Sequence, residues 1–328
     1  MDGGTILVTG GAGFIGSHLV DHLLEARANV VVVDDFSTGS PENLTRAMRV
    51  AGDRLVVHEG RVSEVLPTLD AEAFAGCFHL AAAVGVRLVV DEPIRTIETN
   101  VHETSAMLEF ASRGKVPTLV ASTSEVYGKG TRTPFAEDDD VVYGPTTMTR
   151  WSYACSKAID EYLALAHHRQ GLAPTVVVRF FNTVGPRQSG EYGMVLPRFI
   201  EAAMAGRPLE VHGDGRQARC FCDVRDVVPA LPRLLVDPDC HGRVFNLGRD
   251  ESIEIGELAR TVRDRLKSSS GIRNVSYAEV FDSGFEDLRI RKPDLGRIRS
   301  AIDFRPVIEL DRTIDDIAAS LATGSDDG

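Results

Sequence analysis

The sequence predicts an α/β fold built on a doubly wound parallel sheet. Three observations carry that expectation. Short apolar, β-branched runs alternate with amphipathic stretches as far as Phe180, the pattern of a parallel sheet covered on both faces. A glycine-rich turn joins the first run to the first amphipathic stretch. Beyond Asn182 the alternation loosens into Gly- and Pro-punctuated segments, so a second, smaller region follows the first.

Thr5-Ile6-Leu7-Val8-Thr9 reads as a buried strand. Gly10, Gly13 and Gly16 follow at intervals of three, with Phe14 and Ile15 between them and an amphipathic run from Ser17 to Arg27 behind. Glycines allow a tight turn and let backbone amides approach a pyrophosphate at a helix amino terminus, where the macrodipole favours anions. Such a cluster is often only a loop; the strand before it and the helix after it give the Rossmann-type nucleotide reading its weight. The next strand, Asn29 to Val33, ends in Asp34-Asp35. A carboxylate there accepts hydrogen bonds from adenosine ribose hydroxyls and repels a 2′-phosphate. No arginine follows it directly, which favours NAD over NADP. The plain competing role for these acids is to cap a helix after Pro41.

Further strands are expected near 54–58, 76–80, 117–122 and 174–180. A helix starting near Arg150 carries Tyr153 and Lys157 and stays apolar at helical spacing through Leu163 and Leu165. Residues four apart share a helix face, and an ammonium beside a phenol favours phenolate, lowering a pKa otherwise about 10. Tyr153 is therefore a candidate general base for an alcohol proton. The spacing alone is common on ordinary helices; Ser122-Thr123-Ser124-Glu125 and the glycine turn upstream give it meaning. Glu137 to Asp140 reads as a solvated loop, His167-His168 as solvated surface, and a helix is expected around Leu196–Ala205.

Composition sets limits. The chain has 328 residues, 43% of them hydrophobic, enough to bury a large core. A formal net charge of −12 argues against nucleic acid or an anionic membrane as partner. No apolar run approaches the ~20 residues a membrane helix needs. The first strand begins at once, so no signal peptide is expected. Five cysteines form no disulfide framework and Cys220-x-Cys222 matches no zinc or redox spacing, so a reducing cytoplasm is the expected location and no metal is expected.

With these residues in view, the chain resembles the extended short-chain dehydrogenase/reductases that act on nucleotide sugars as epimerases, dehydratases and decarboxylases. Besides the motifs above, the resemblance runs through His79-Leu80-Ala81-Ala82, Asn100-Val101, Arg179 to Arg187, Gly213-Asp214-Gly215, Arg219 to Val224 and Arg291-Lys292-Pro293-Asp294. It implies a domain at 1–181 with a segment returning at about 219–248, through a strand near Val244–Asn246. It also implies a discontinuous α/β substrate lobe at 182–218 and 249–320; 321–328 is read as a frayed tail. It implies tightly bound, recycled NAD held by Gly10, Gly13, Phe14, Ile15, Gly16, Asp34, Asp35, Ser37, Thr38, Leu80, Ala81, Ala82, Asn100, Tyr153 and Lys157. Arg87, Glu125, Asn182, Arg187, Arg219, Arg291 and Asp294 would face a UDP-linked sugar. A homodimer is the family default, pairing the helix from about Pro93 with the Tyr153 helix.

In that family the tyrosine deprotonates the sugar 4-hydroxyl, Thr123 shares the 4-oxygen, and the lysine binds the nicotinamide ribose. A 4-keto sugar results, and three outcomes compete. A C5 carboxylate makes it a β-keto acid that loses carbon dioxide; acid and base beside C5 and C6 eliminate water; return of hydrogen to the opposite face epimerises C4. Many dehydratases have Thr-Asp-Glu where this chain has Thr123-Ser124-Glu125, so the usual acid is missing. Arg150-Trp151-Ser152-Tyr153 and Gly284 through Pro293 resemble UDP-glucuronate decarboxylases, in which an arginine at the Arg291 position helps catalysis. Gly85-Val86-Arg87 resembles UDP-glucuronate 4-epimerases, but the threonine and arginine those enzymes place at Asn182 and Ser189 are absent. Decarboxylation of UDP-glucuronic acid to UDP-xylose or a UDP-4-keto-pentose leads, 4-epimerisation is the alternative and 4,6-dehydration is third. A non-catalytic NAD sensor is the reading from another class; the intact Thr123, Tyr153 and Lys157 oppose it. Gly60-Arg61-Val62 departs from the family's Gly-Asp-[Val/Ile], which removes an acidic contact to adenine.

Overall fold

Seven strands form one parallel sheet in the order β11-β6-β5-β4-β1-β2-β3. In chain order they are β1 (Thr5–Thr9), β2 (Asn29–Asp34), β3 (Leu55–Glu59), β4 (Gly76–His79), β5 (Thr118–Thr123), β6 (Thr175–Phe180) and β11 (Arg243–Leu247). The computed structural model describes residues 3–83, 91–190, 194–280 and 288–324. Each of the six strands expected before residue 181 is present within a residue or so of its expected bounds. Apolar runs define them because both sheet faces are covered: Ile6, Leu7 and Val8 are all fully buried, as a central parallel strand requires.

The main helices are α1 (Phe14–Glu25), α2 (Pro93–Gly114), α3 (Arg150–Arg169), α4 (Val195–Met204), α5 (Ile255–Arg265) and α6 (Leu310–Gly324). The strand order reverses beside β1, with β2 on one flank and β4 on the other. Ligands of open α/β sheets bind at the carboxyl ends of the strands at such a switch point. All the chemistry described below gathers there.

A second core holds α4, α5 and α6 together through Leu196, Phe199, Ile200, Leu258, Val262, Ile314 and Ile317. Small sheets flank it: β7 (Thr183–Val184) with β10 (Cys222–Asp223), β8 (Leu209–His212) with β13 (Ile272–Val275), and β9 (Ala218–Cys220) between β12 (Ser252–Glu254) and β14 (Ile290–Arg291). The lobe is interrupted in sequence, because β11 returns to the main sheet and pairs with β6 in parallel. Its edges differ from the sequence expectation. Arg219 lies in a lobe strand, and the return begins at Cys222, whose side chain joins the main core. Leu295, Ile298, Ile302 and Phe304 also pack into the main core, so this stretch of the 249–320 segment belongs to the larger body. Leu321 packs on the lobe core and α6 runs on to Gly324, where a frayed tail was expected.

Two surface expectations also change. Glu137 is buried and accepts a hydrogen bond from the Asn246 amide at 2.9 Å, while Asp139 accepts from the Ala136 amide at 2.8 Å. The acidic run thus ties its loop to the end of β11. His167 bonds Ser112 of α2 at 3.0 Å and His168 packs against Gly242, so both are half-buried.

Candidate active site

The glycine turn is built by close approach. Gly10 sits at φ +70°, and a Cβ there would lie 2.6 Å from the Ala81 amide nitrogen on the loop after β4. At Gly16 a Cβ would fall 2.0 Å from the Gly10 carbonyl oxygen. Gly13 is the extended residue before α1 and offers no side-chain cap, so the first-turn amides of Phe14, Ile15 and Gly16 are open to an anion. A cleft lined by Gly10, Gly13, Asp34, Asp35, Ser37, Thr38, Leu80, Ala81 and Ala82 runs from this turn, with Arg61, Arg95 and Thr99 on its far side. Glycine at each close approach, free amides at a helix end and an acid at the tip of β2 together fit a dinucleotide.

Asp34 accepts from Ala12 N at 2.8 Å and from Phe36 N at 2.9 Å, so it braces the loop rather than capping the next helix. Burial pushes its carboxyl up, and the two amides partly offset that. Asp35 stays exposed and accepts from Ser37 N. Asn100, fully buried on α2, accepts from Ala83 N at 2.8 Å and donates to Ser156 on α3 at 3.2 Å. It fixes the loop carrying Leu80 to Ala82 beneath the cleft.

At the end of β5, Thr123 hydrogen-bonds the Tyr153 phenol. Burial, and next the charge of Glu125, push that phenol above its usual range, while Thr123 and Arg291 oppose the rise. The Lys157 ammonium lies 2.6 Å from Asp160. The phenol is thus raised where the Tyr/Lys spacing predicts it lowered, and Asp160, one turn past Lys157, pairs with the ammonium.

Glu125 is the second focus. It ion-pairs with Arg291 from β14 and has Arg150 at 3.7 Å. Burial disfavours its charge, but Arg291, Arg150 and Arg219 outweigh burial and hold the carboxyl below the usual range. Arg291 also donates to the Asn182 side chain at 3.3 Å, and Asn182 donates to the Cys220 carbonyl. Parallel pairing sets Arg219 and Arg291 side by side on β9 and β14. The lobe sheet thus brings Arg291 to Glu125 and within reach of the Tyr153 phenol, with Arg219 acting on Glu125 beside it. Ser124 is buried in the turn beside them.

Two predicted substrate residues are engaged within the protein itself. Arg187 pairs with Asp21 of α1 at 2.7 Å; Asp294 accepts from Gly296 N at 2.7 Å, just ahead of a short helix; Arg87 lies outside the described residues. Sequence reasoning missed Arg150 and Asp160 as site residues. Arg150 stood in view as part of Arg-Trp-x-Tyr, and Asp160 follows Lys157 by three, a spacing that shares a helix face. Trp151 is buried against Gly144 and Tyr143 and packs the helix start.

Comparison with known proteins agrees with this geometry. The profile of the NAD dependent epimerase/dehydratase family matches residues 6–248. A UDP-N-acetyl-alpha-D-glucosaminuronate decarboxylase of Bacillus cytotoxicus is 41% identical over 304 residues, covering 92% of each chain. UDP-glucuronic acid decarboxylase 3 of Arabidopsis thaliana is 36% identical, covering 93% of this chain and 85% of the relative. Among solved structures, UDP-glucuronic acid 4-epimerase of Bacillus cereus, in complex with UDP-glucuronic acid and NAD, aligns with a TM-score of 0.84 at 25% identity, over 97% of this chain and 99% of its own.

Proposed function

The chain belongs to the NAD-dependent epimerase/dehydratase family, and on that premise we propose that it decarboxylates a UDP-linked hexuronic acid through a 4-keto intermediate. The observation that carries the choice is Glu125, held ionised among arginines beside Thr123 and Tyr153. Elimination of water needs a proton donor at the leaving hydroxyl. Glu125 cannot donate at neutral pH, and Ser124 occupies the place of the usual acid. Decarboxylation needs no such donor: the C5–C6 bond breaks, carbon dioxide leaves, and the electron pair delocalises onto the C4 oxygen as an enolate.

NAD, when bound, supplies the acceptor for the hydrogen that leaves C4. Tyr153 and Thr123 hold the 4-oxygen, and Tyr153 takes its proton. Arg150, Arg219 and Arg291 gather around Glu125, and guanidinium groups so clustered suit a diphosphate and a sugar carboxylate. Glu125 orients the water that protonates C5. Asp34 and Asp35 hold the adenosine ribose.

The relatives' names divide on the group at C2, hydroxyl or acetamido; UDP-glucuronic acid is the leading substrate, with its 2-acetamido analogue as the second reading on the 41% relative. A homodimer through α2 and α3 is supported by Ile94, Ile97, Ile159 and Tyr162, all exposed on those helices. A reducing cytoplasm suits the five free cysteines; no helix among the described residues is long and apolar enough to cross a membrane.

The test is to incubate the protein with NAD and each uronate and follow products by mass spectrometry and proton NMR. Loss of carbon dioxide, abolished in Tyr153→Phe, is the expected result. Unchanged mass with an inverted C4 would replace decarboxylation by 4-epimerisation, and loss of water from a neutral UDP-, GDP- or dTDP-hexose would replace it by dehydration.

A further inference from the structure

Lys157 is 2% exposed and Asp160 is wholly buried, with Nζ 2.6 Å from Oδ2. A charge so placed persists only if paired. The surroundings leave few partners. On α3 the adjacent acid, Glu161, is engaged by Arg179 of β6 at 2.8 and 2.7 Å and by Ser122 of β5 at 2.5 Å. From the end of β4 comes His79, held between the Thr9 hydroxyl at 2.8 Å and the Thr104 hydroxyl of α2 at 3.1 Å. Burial first, and Lys157 second, push its imidazole down to about 3, so it is neutral and brings no charge. Thr104 also lies against the Asp160 carboxylate. Glu125, beyond β5, acts on Tyr153 and belongs to the arginines. Asp160 is therefore the one carboxylate paired with Lys157 among the described residues.

We propose that Asp160 is a positioning residue, the fixed counter-ion that keeps Lys157 charged and directed along the inner face of α3 beside Tyr153. Without it, a lysine at this depth sheds its proton, because desolvation acts against the ammonium and no other anion restores it. Asp160 touches neither sugar nor cofactor in this scheme; it acts through the lysine, and its charge also reaches the Tyr153 phenol, which it raises. The inference rests on the reading that Tyr153 and Lys157 work together in oxidation at C4, and its first readout, the lysine titration, needs no sugar nucleotide.

The sequence holds only five lysines, Lys115, Lys129, Lys157, Lys267 and Lys292. Protein carrying 13C at lysine Cε therefore gives a countable spectrum, and Lys157→Arg identifies the resonance of interest. The Lys157 resonance of the unsubstituted protein gives the reference titration. In Asp160→Asn its midpoint should fall by at least ~2 pH units, with the other four unchanged. With NAD and substrate, the same variant should lose kcat progressively as pH rises through that midpoint, with little change in KM. An unshifted Lys157 titration would overturn the proposal, as would a loss of kcat equal at every pH. Should Asp160→Asn fail to fold, Asp160→Glu carries the test. It keeps the anion but moves it by one methylene, so Lys157 should remain charged while kcat falls at constant KM; an unaltered kcat would overturn the positioning role.

Discussion

Replacing Glu125 by glutamine keeps the shape of the turn after β5 and removes one negative charge from among Arg150, Arg219 and Arg291. Arg150 lies 3.7 Å away and Arg291 closer still. Two unit charges ~4 Å apart interact by about 4 kcal/mol at an effective dielectric constant of ~20. The carboxylate side chain is 24% exposed, and water screening reduces that figure to about 2 kcal/mol, or ~30-fold in binding. In Glu125→Gln the three guanidinium groups lose this negative neighbour, so the substrate's diphosphate and carboxylate meet a more positive site. KM for the uronate should therefore fall by ~10- to 30-fold. Turnover should fall at the same time, by ~100-fold or more, because the group that orients the protonating water is gone. Initial rates of carbon dioxide release across substrate concentration give both constants. A rise in KM, or two unchanged constants, would refute the electrostatic reasoning and leave Glu125 as a structural support for its loop.

Tyr153→Phe should lower kcat by ~10²- to 10⁴-fold with the fold intact, checked by single-turnover reduction of bound NAD alongside circular dichroism. Gly16→Ala places a methyl group 2.0 Å from the Gly10 carbonyl; the shift it forces should cost ~1–3 kcal/mol and loosen the dinucleotide cradle, read as a lower melting temperature and less NAD retained on purification. Glu125 also predicts a pH signature in stability. Its folded-state pKa lies below the unfolded value, so the stability it contributes is present above the ordinary glutamate range and is lost as pH falls through the lower, folded value. The stability difference between the protein and Glu125→Gln, from urea melts, should be flat at neutral pH and shrink on acidification; a difference that grows toward acid would contradict the assigned shift.

What the sequence determined by itself was whatever is encoded locally. Strand runs such as Thr5–Thr9 and Thr175–Phe180 declare themselves because a parallel strand is apolar on both faces. Gly10, Gly13 and Gly16 declare the turn because only glycine fits backbone approaches this close. Tyr153 and Lys157 share a face because four residues are about one helical turn. Partners were left to the tertiary structure. Glu125 meets Arg291 across 166 residues, and nothing in either segment states the other's position. Arg187 turned to Asp21 of α1 instead of the sugar side, Glu137 went inward to the β11 amide it satisfies, and Lys157 gave its charge to Asp160. Periodicity assigns a side chain to a face; which charge it meets there depends on what the rest of the chain folds against that face, and on the cost of leaving a buried charge unpaired.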